Sequence, residues 1–314
     1  MSRILWQERC AEYVALRRAL GFTMRPDERL LREFVDFVER QPESAAMAHL
    51  TVTWATRTGG PGTQGRRLSI ARQFLVYVQA FDTDVAVPGS GLLPSVRRSR
   101  PRLLIEQDVT RLMDAARGVG PRDALRPQTV ATYIGLLASC GLRAQEAIRL
   151  TLEDVALTAT PPRLTIRQTK FRKSRLVPLH ATTAAALNAY AIRRHQLGYD
   201  GLCDAFFVSE RGTPLNYHVI ARTFVALARR LGLRGPAGTR GMSLHHLRHS
   251  FAVARLAAWA EAGDDTRDRL PALATYLGHA RPQDTYWYLT AAPQVLEAAA
   301  ARFEAFADFG RVTP

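Results

Sequence analysis

The spacing of apolar residues divides the chain before any motif is considered. Over the first hundred residues they recur at helical intervals. Leu5, Tyr13, Leu16 and Leu20 mark one stripe, which ends near Gly21. Leu30, Leu31, Phe34, Val35 and Val38 mark a second, entered through Pro26 and Asp27. A weaker helical signal covers 51–57. The breaker Gly59-Gly60-Pro61-Gly62 then leads into a stronger helix with Leu68, Ile70, Phe74, Leu75 and Val78 on its apolar face. These segments predict a bundle of about four helices.

Pro88-Gly89-Ser90-Gly91 and the stretch from Pro94 to Arg102 end that pattern. Arg97, Arg98, Arg100 and Arg102 lie there with no acid among them, so the stretch suits either a path along phosphates or a solvated connector. Beyond it, helices are predicted over 107–116, 129–139 and 144–150. The period then changes: 163–167 alternates and 175–179 is a second short apolar strand, which together read as a hairpin. Helices resume over 185–194, 217–231, 244–259, 271–277 and 295–306, with 261–269 as a Gly- and Asp-rich loop. The predicted organisation is a helical domain over 1–87, a basic linker over 88–102 and a mixed α/β domain over 103–314. The fold class is mainly α with a small β-sheet.

Composition narrows the partners. The 314 residues carry 43 Lys+Arg against 28 Asp+Glu, a net charge of +15, and 47% are hydrophobic. That apolar share supports packed cores and excludes a disordered basic tail as the main character. The length suits two domains, at roughly 150 residues each. The charge favours a polyanion, with nucleic acid the first candidate. Cys10, Cys140 and Cys203 are too few and too scattered for a disulfide framework or a zinc site, and fit a reducing compartment. No apolar run approaches the roughly 18 residues of a membrane span. The expected location is the cytoplasm, at the nucleoid. Among the 43 cations only Lys170 and Lys173 are lysines, three positions apart. Arginine cannot give up its proton in a protein and lysine can, so this segment is singled out.

Four segments carry a chemical pattern. They are Cys140-Gly141-Leu142-Arg143-Ala144-Gln145-Glu146, the hairpin from Thr169 to Leu179, His245-His246-Leu247-Arg248-His249, and Leu277-Gly278-His279 with Tyr288 nine residues further on. In this order they resemble the tyrosine recombinase (phage integrase, Xer-like) family. The resemblance implies an N-terminal helical DNA-clamping bundle joined to a catalytic domain. It implies a site-specific recombinase acting on double-stranded DNA through a 3′-phosphotyrosyl intermediate, as a homo-oligomer, expected to be a tetramer on two sites. No cofactor or metal is implied. Tyr288 would be the nucleophile, Arg143 and Arg248 the phosphate grip, His245 the proton acceptor, His279 a donor to phosphate and Lys170 the donor to the leaving oxygen. Glu146 and His249 would support the site. Arg172, Lys173, Arg175 and the four linker arginines would contact DNA.

These types suit the reaction. Cleaving a phosphodiester without water needs an oxygen nucleophile, a proton acceptor, a proton donor and cations around the phosphorane-like transition state. Tyr286 rivals Tyr288, but on a helix the two would point in different directions. The three histidines at 245, 246 and 249 invite a metal reading, yet His246 stands where a metalloprotease would carry Glu. The interval from His245 to His279 is 34 residues, long for compact Xer-like members, and the surplus falls in 261–269. The spelling Tyr286-Trp287-Tyr288-Leu289 resembles recombinases of transposons and integrating elements. After Tyr288, Val295, Ala299, Phe303 and Phe306 form a stripe that packs either in cis or on a neighbouring subunit. Two alternatives keep the fold: a type IB topoisomerase-like relaxing enzyme and a non-catalytic DNA-binding regulator. A metal-dependent nuclease is a third.

Overall fold

The computed structural model describes residues 5–42, 44–94, 102–167, 174–239, 241–264, 266–279, 281 and 283–289. Arg97, Arg98, Arg100, Lys170, Arg172, Lys173 and the stripe over 295–306 lie outside the described residues. The chain divides into two compact units, Met1–Ser99 and Arg100–Pro314.

The first unit holds α1 (Trp6–Ala19), α2 (Arg25–Glu39), α3 (Met47–Thr56) and α4 (Pro61–Gln79). Pro26 and Pro61 occupy first turns, where a missing N–H costs nothing, so the glycine-rich breaker ends as the start of α4. The core closes on Leu31, Phe34, Val35, Phe74 and Leu75, all at zero exposure. Trp54 packs with its ring 5.0 Å from that of Phe34, and the Arg67 guanidinium lies 3.8 Å over the Trp54 ring. The predicted stripe on α1 needs correction. Cys10, Tyr13 and Val14 face the core, whereas Leu5, Leu16 and Leu20 are 56%, 44% and 63% exposed. Isolated exposed leucines are ordinary on a protein surface, and side-chain type alone could not choose between two overlapping helical faces.

The second unit runs α5 (Glu106–Ala116), α6 (Leu125–Cys140), α7 (Ala144–Ile148), a 3-10 turn (Leu152–Asp154), β1 (Val155–Ala156), β2 (Arg163–Ile166), β3 (Arg175–Pro178), α8 (Ala181–Gln196), α9 (Tyr217–Arg230), α10 (Leu244–Glu261), α11 (Thr266–Leu277) and α12 (Gln283–Tyr286). The three strands form one antiparallel sheet in the order β1-β2-β3, with Leu164 opposite Val177 and Ile166 opposite Arg175. Leu164, Ile166 and Val177 point inward, which is the alternation that predicts the hairpin. Helix α6 is buried on most of its circumference and packs against α5, α8 and α10. Its sequence therefore reads as nearly continuous apolar rather than amphipathic. The Leu104 N–H donates to Ser250 Oγ at 2.7 Å, fixing the beginning of this unit to α10. The described residues are thus mainly α with one small sheet, and none of their helices is long and apolar enough to cross a membrane.

Two predicted boundaries shift near the C-terminal end. The expected loop over 261–269 is helical from Thr266, and Pro271 stands inside α11 instead of at its start. A proline in the second turn forfeits one backbone hydrogen bond and the rest of the helix continues. Helix α12 ends at Tyr286, so Tyr286 and Tyr288 do not share a helix: Tyr288 lies in the turn beyond, its N–H donating to Thr285 O at 3.0 Å.

Candidate active site

The site forms where four distant segments meet. Helix α6 ends at Gly141 with φ +59°, and a Cβ there would come within 2.4 Å of the Phe251 ring. Only glycine meets both demands, and the resulting reversal presents Arg143 as the N-cap of α7. Three residues on, Glu146 reaches back to accept the Arg143 N–H at 3.0 Å, half of a capping box. Its Oε1 also accepts Arg143 Nη1 at 2.8 Å. The same carboxylate takes a fork from β3: Arg175 Nη1 to Oε1 at 3.1 Å and Nη2 to Oε2 at 2.8 Å. Burial alone would raise the Glu146 carboxyl, but Arg175 and then Arg143 hold it down at about 2.

Facing this pair is the end of α11. Gly278, at φ +70°, and His279 close it with N–H bonds to Thr275 O (3.0 Å) and Ala274 O (2.9 Å), a Schellman turn. The carbonyls left over are taken by arginines from three elements. Arg175 Nε donates to Tyr276 O, Arg248 Nη2 to Leu277 O and Arg143 Nη2 to Gly278 O, each at 2.8 Å. Positive side chains are favoured at this negative end of the helix dipole. Arg248, on α10, is only 1% exposed and its Nη1 donates to Gly141 O at 2.8 Å. Burial, and then the charge of Arg143, pushes its pKa down to about 10, so it remains a cation at neutral pH.

The turn delivers His279, whose Nδ1 pairs with Thr285 Oγ1 at 2.7 Å and whose ring lies 6.0 Å from that of Tyr288, nearly parallel to it. Tyr288 is 3% exposed and packs among Ala252, Val253, Leu256 and Leu277. Its hydroxyl pairs with His249 Nδ1 at 3.3 Å. Burial raises the phenol above its ordinary pKa, with Arg248 and Arg143 opposing. Burial, and then the adjoining His245 and His246, lower His249 to about 3; burial, and then Arg248 and Arg143, lower His279 to about 4, so both are neutral at pH 7. His245 is more exposed and sits edge-on to His249 at 4.2 Å. Desolvation, with Arg248 next, lowers its pKa as well. His246 turns aside, its Nδ1 accepting the Ser243 N–H at 3.1 Å at the start of α10.

Arg143, Glu146, His245, Arg248, His249, His279 and Tyr288 are therefore one neighbourhood, with three arginines set against a single carboxylate. This is an anion site beside a phenol and neutral imidazoles. Among the described residues no cluster of three or more His, Cys, Asp or Glu side chains is arranged to hold a metal. Of the residues expected on DNA, Arg102 is exposed and Arg175 is not: it is 10% exposed and turned inward, because Glu146 and the α11 carbonyl use its guanidinium. Tyr286, the rival tyrosine, is 49% exposed. Thr285 carried no sequence signal, since its role is a contact with His279 across a turn.

The phage integrase family model matches residues 102–294. A relative from Sinorhizobium fredii, integrase/recombinase y4rB, is 42% identical over 93% of this chain and 95% of its own length. Tyrosine recombinase XerD of Mycobacterium tuberculosis is 31% identical, over 74% of each chain. Among solved structures, the XerH site-specific recombinase bound to its palindromic difH substrate has a TM-score of 0.66 at 20% identity, covering 88% of this chain and 78% of that one. The Tn1549 transposon integrase has a TM-score of 0.66 at 16% identity, covering 89% and 94%. These two likenesses establish a shared fold. Joined to the family match and to relatives aligned over most of their length, they show that the chain belongs to the phage integrase family and is a tyrosine-type site-specific DNA recombinase.

Proposed function

We propose that this recombinase cuts DNA with Tyr288. The phenol oxygen attacks the scissile phosphorus, forming a 3′-phosphotyrosyl bond as the bond to the 5′-oxygen breaks. The phenolic proton passes to His245, and Lys170 supplies a proton to the departing 5′-hydroxyl. Arg143 and Arg248 hold the non-bridging oxygens, and His279 adds a hydrogen bond to them. Rejoining is the reverse attack by another 5′-hydroxyl, so the bond energy is conserved and no nucleotide cofactor is chemically required. The observation that carries this reading is the meeting of Arg143, Arg248, His279 and Tyr288 around one helix end. The Tyr288 hydroxyl lies inward against His249, so in this reading the phenol turns outward to meet the phosphate.

The proposal extends to DNA contacts and assembly. The helical unit and the linker arginines Arg97, Arg98, Arg100 and Arg102 grip one face of the duplex, with Arg172 and Lys173 reaching phosphates from the hairpin. Four copies act on two sites, and the stripe over 295–306 joins neighbouring subunits. The reaction serves integration, excision or transposition alike.

The test is covalent capture. The chain is incubated with sheared, nicked DNA from the genome that encodes it, denatured, and freed of non-covalent DNA; the attached ends are then sequenced. A discrete site joined through its 3′ end is expected, with no adduct from Tyr288→Phe and full yield from Tyr286→Phe. An adduct that survives Tyr288→Phe refutes the assignment.

A further inference from the structure

Arg175 lies outside the set of reacting groups, yet its surroundings give it a defined task. It opens β3, where its backbone pairs with Ile166, so its origin is fixed by the sheet. All three guanidinium nitrogens have acceptors: Glu146 Oε1 at 3.1 Å, Glu146 Oε2 at 2.8 Å and Tyr276 O at 2.8 Å. One rigid fork therefore spans the start of α7 and the last turn of α11. Space is reserved for it, because a Cβ on Gly278 would lie 2.6 Å from Arg175 Nη1.

From this geometry we infer that Arg175 is a positioning residue for strand cleavage. It fixes Glu146, and through Glu146 the guanidinium of Arg143, while clamping the turn that presents His279. The inference rests on the reading of Arg143 and His279 as phosphate-binding groups. Arg143 is one-third exposed and cannot be held by packing alone. Its alignment depends on a carboxylate that does not rotate, and a bidentate arginine on the far side is what stops the rotation. Lysine offers its donors from a single atom and cannot span both Glu146 oxygens and the Tyr276 carbonyl.

The experiment uses the duplex recovered by covalent capture on the wild-type chain, nicked so that cleavage is trapped. Cleavage rate at saturating protein, DNA affinity with its salt dependence, and thermal midpoint are measured for wild type, Arg175→Lys, Arg175→Met, Glu146→Gln and the Arg175→Met/Glu146→Gln pair. Arg175→Met is expected to slow cleavage roughly 10- to 100-fold, the scale on which a misplaced group acts. Affinity and salt slope should stay at wild-type values, with Arg175→Lys folded and intermediate in rate. In the Glu146→Gln background the Arg175 substitution should add little. A loss confined to affinity, with a shallower salt slope, overturns the inference and makes Arg175 a DNA contact. Independent, multiplicative effects of the two substitutions overturn the coupling, and unchanged cleavage overturns the role altogether. Unfolding of Arg175→Lys at the assay temperature reduces the arginine to a purely structural part and overturns it too. Absence of any wild-type adduct is a separate result, which sinks the proposed chemistry instead.

Discussion

Replacing Glu146 by Gln should weaken the C-terminal unit in a way that depends on pH. The carboxylate is 9% exposed and bound by two arginines. Its amide replacement would turn two N–H donors toward guanidinium donors and leave one arginine without an acceptor. The magnitude follows from the displaced titration. A fall from 4.5 in the unfolded chain to about 2 in the fold corresponds to roughly 3 kcal/mol, at about 1.4 kcal/mol per pH unit. Arg175 supplies the larger share, because the partly exposed Arg143 is screened by solvent. The folded pKa is the lower one, so this stability is fully present above pH 4.5 and is lost as pH falls through about 2. Wild type should therefore exceed Glu146→Gln by roughly 3 kcal/mol at neutral pH and by about half that near pH 3. Urea unfolding followed by hydrogen exchange in peptides from α6 and α7 reports this unit alone. Tryptophan fluorescence does not, since Trp6 and Trp54 lie in one unit and Trp259 and Trp287 in the other. A difference that stays constant from neutral pH to pH 3, or that is absent at neutral pH, would refute the buried-carboxylate argument.

Three further outcomes can be checked. Gly278→Ala forces an L side chain into the left-handed region beside Arg175, which should cost about 1–3 kcal/mol in urea unfolding; a neutral substitution would contradict the close approach. Thr285→Val removes the partner of His279 Nδ1 at nearly constant volume, and should slow trapped cleavage by about fivefold, equivalent to about 1 kcal/mol, without weakening DNA binding. If affinity falls in parallel with rate, His279 is not oriented by Thr285. Binding to the captured site should lose affinity with salt at a log–log slope of about −0.9 per neutralised phosphate, and neutralising Arg97, Arg98, Arg100 and Arg102 together should flatten that slope; an unchanged slope in a filter-binding titration removes the linker from the interface.

Legibility in the sequence followed the range of the interaction. Helices α2 and α4 could be read because their buried residues repeat at helical spacing and prolines mark their first turns. The hairpin could be read because Leu164, Ile166 and Val177 alternate with less buried neighbours. Helix α1 misled, since leucines occupy both its faces and only tertiary packing selects Cys10, Tyr13 and Val14. The residues of the proposed chemistry stand out because few side-chain types suit it. Arg175 is harder to read for the opposite reason: an arginine in a basic hairpin looks like a phosphate contact, and the carboxylate that holds its guanidinium is 29 positions away. Thr285 and the Schellman turn at Gly278 left no local signature beyond one glycine.

The arginine-capped end of α11 also bears on how such an enzyme is made. Arg143, Arg175 and Arg248 leave the ribosome before the three carbonyls they bind, because Tyr276, Leu277 and Gly278 are translated after all of them. A chain that stops short of these carbonyls keeps the bonds of Arg143 and Arg175 to Glu146 and of Arg248 to Gly141 O, but lacks the second anchor of each guanidinium and ends before Tyr288. The arginine cluster is thus complete only once α11 has been translated, whatever the order in which the earlier helices pack.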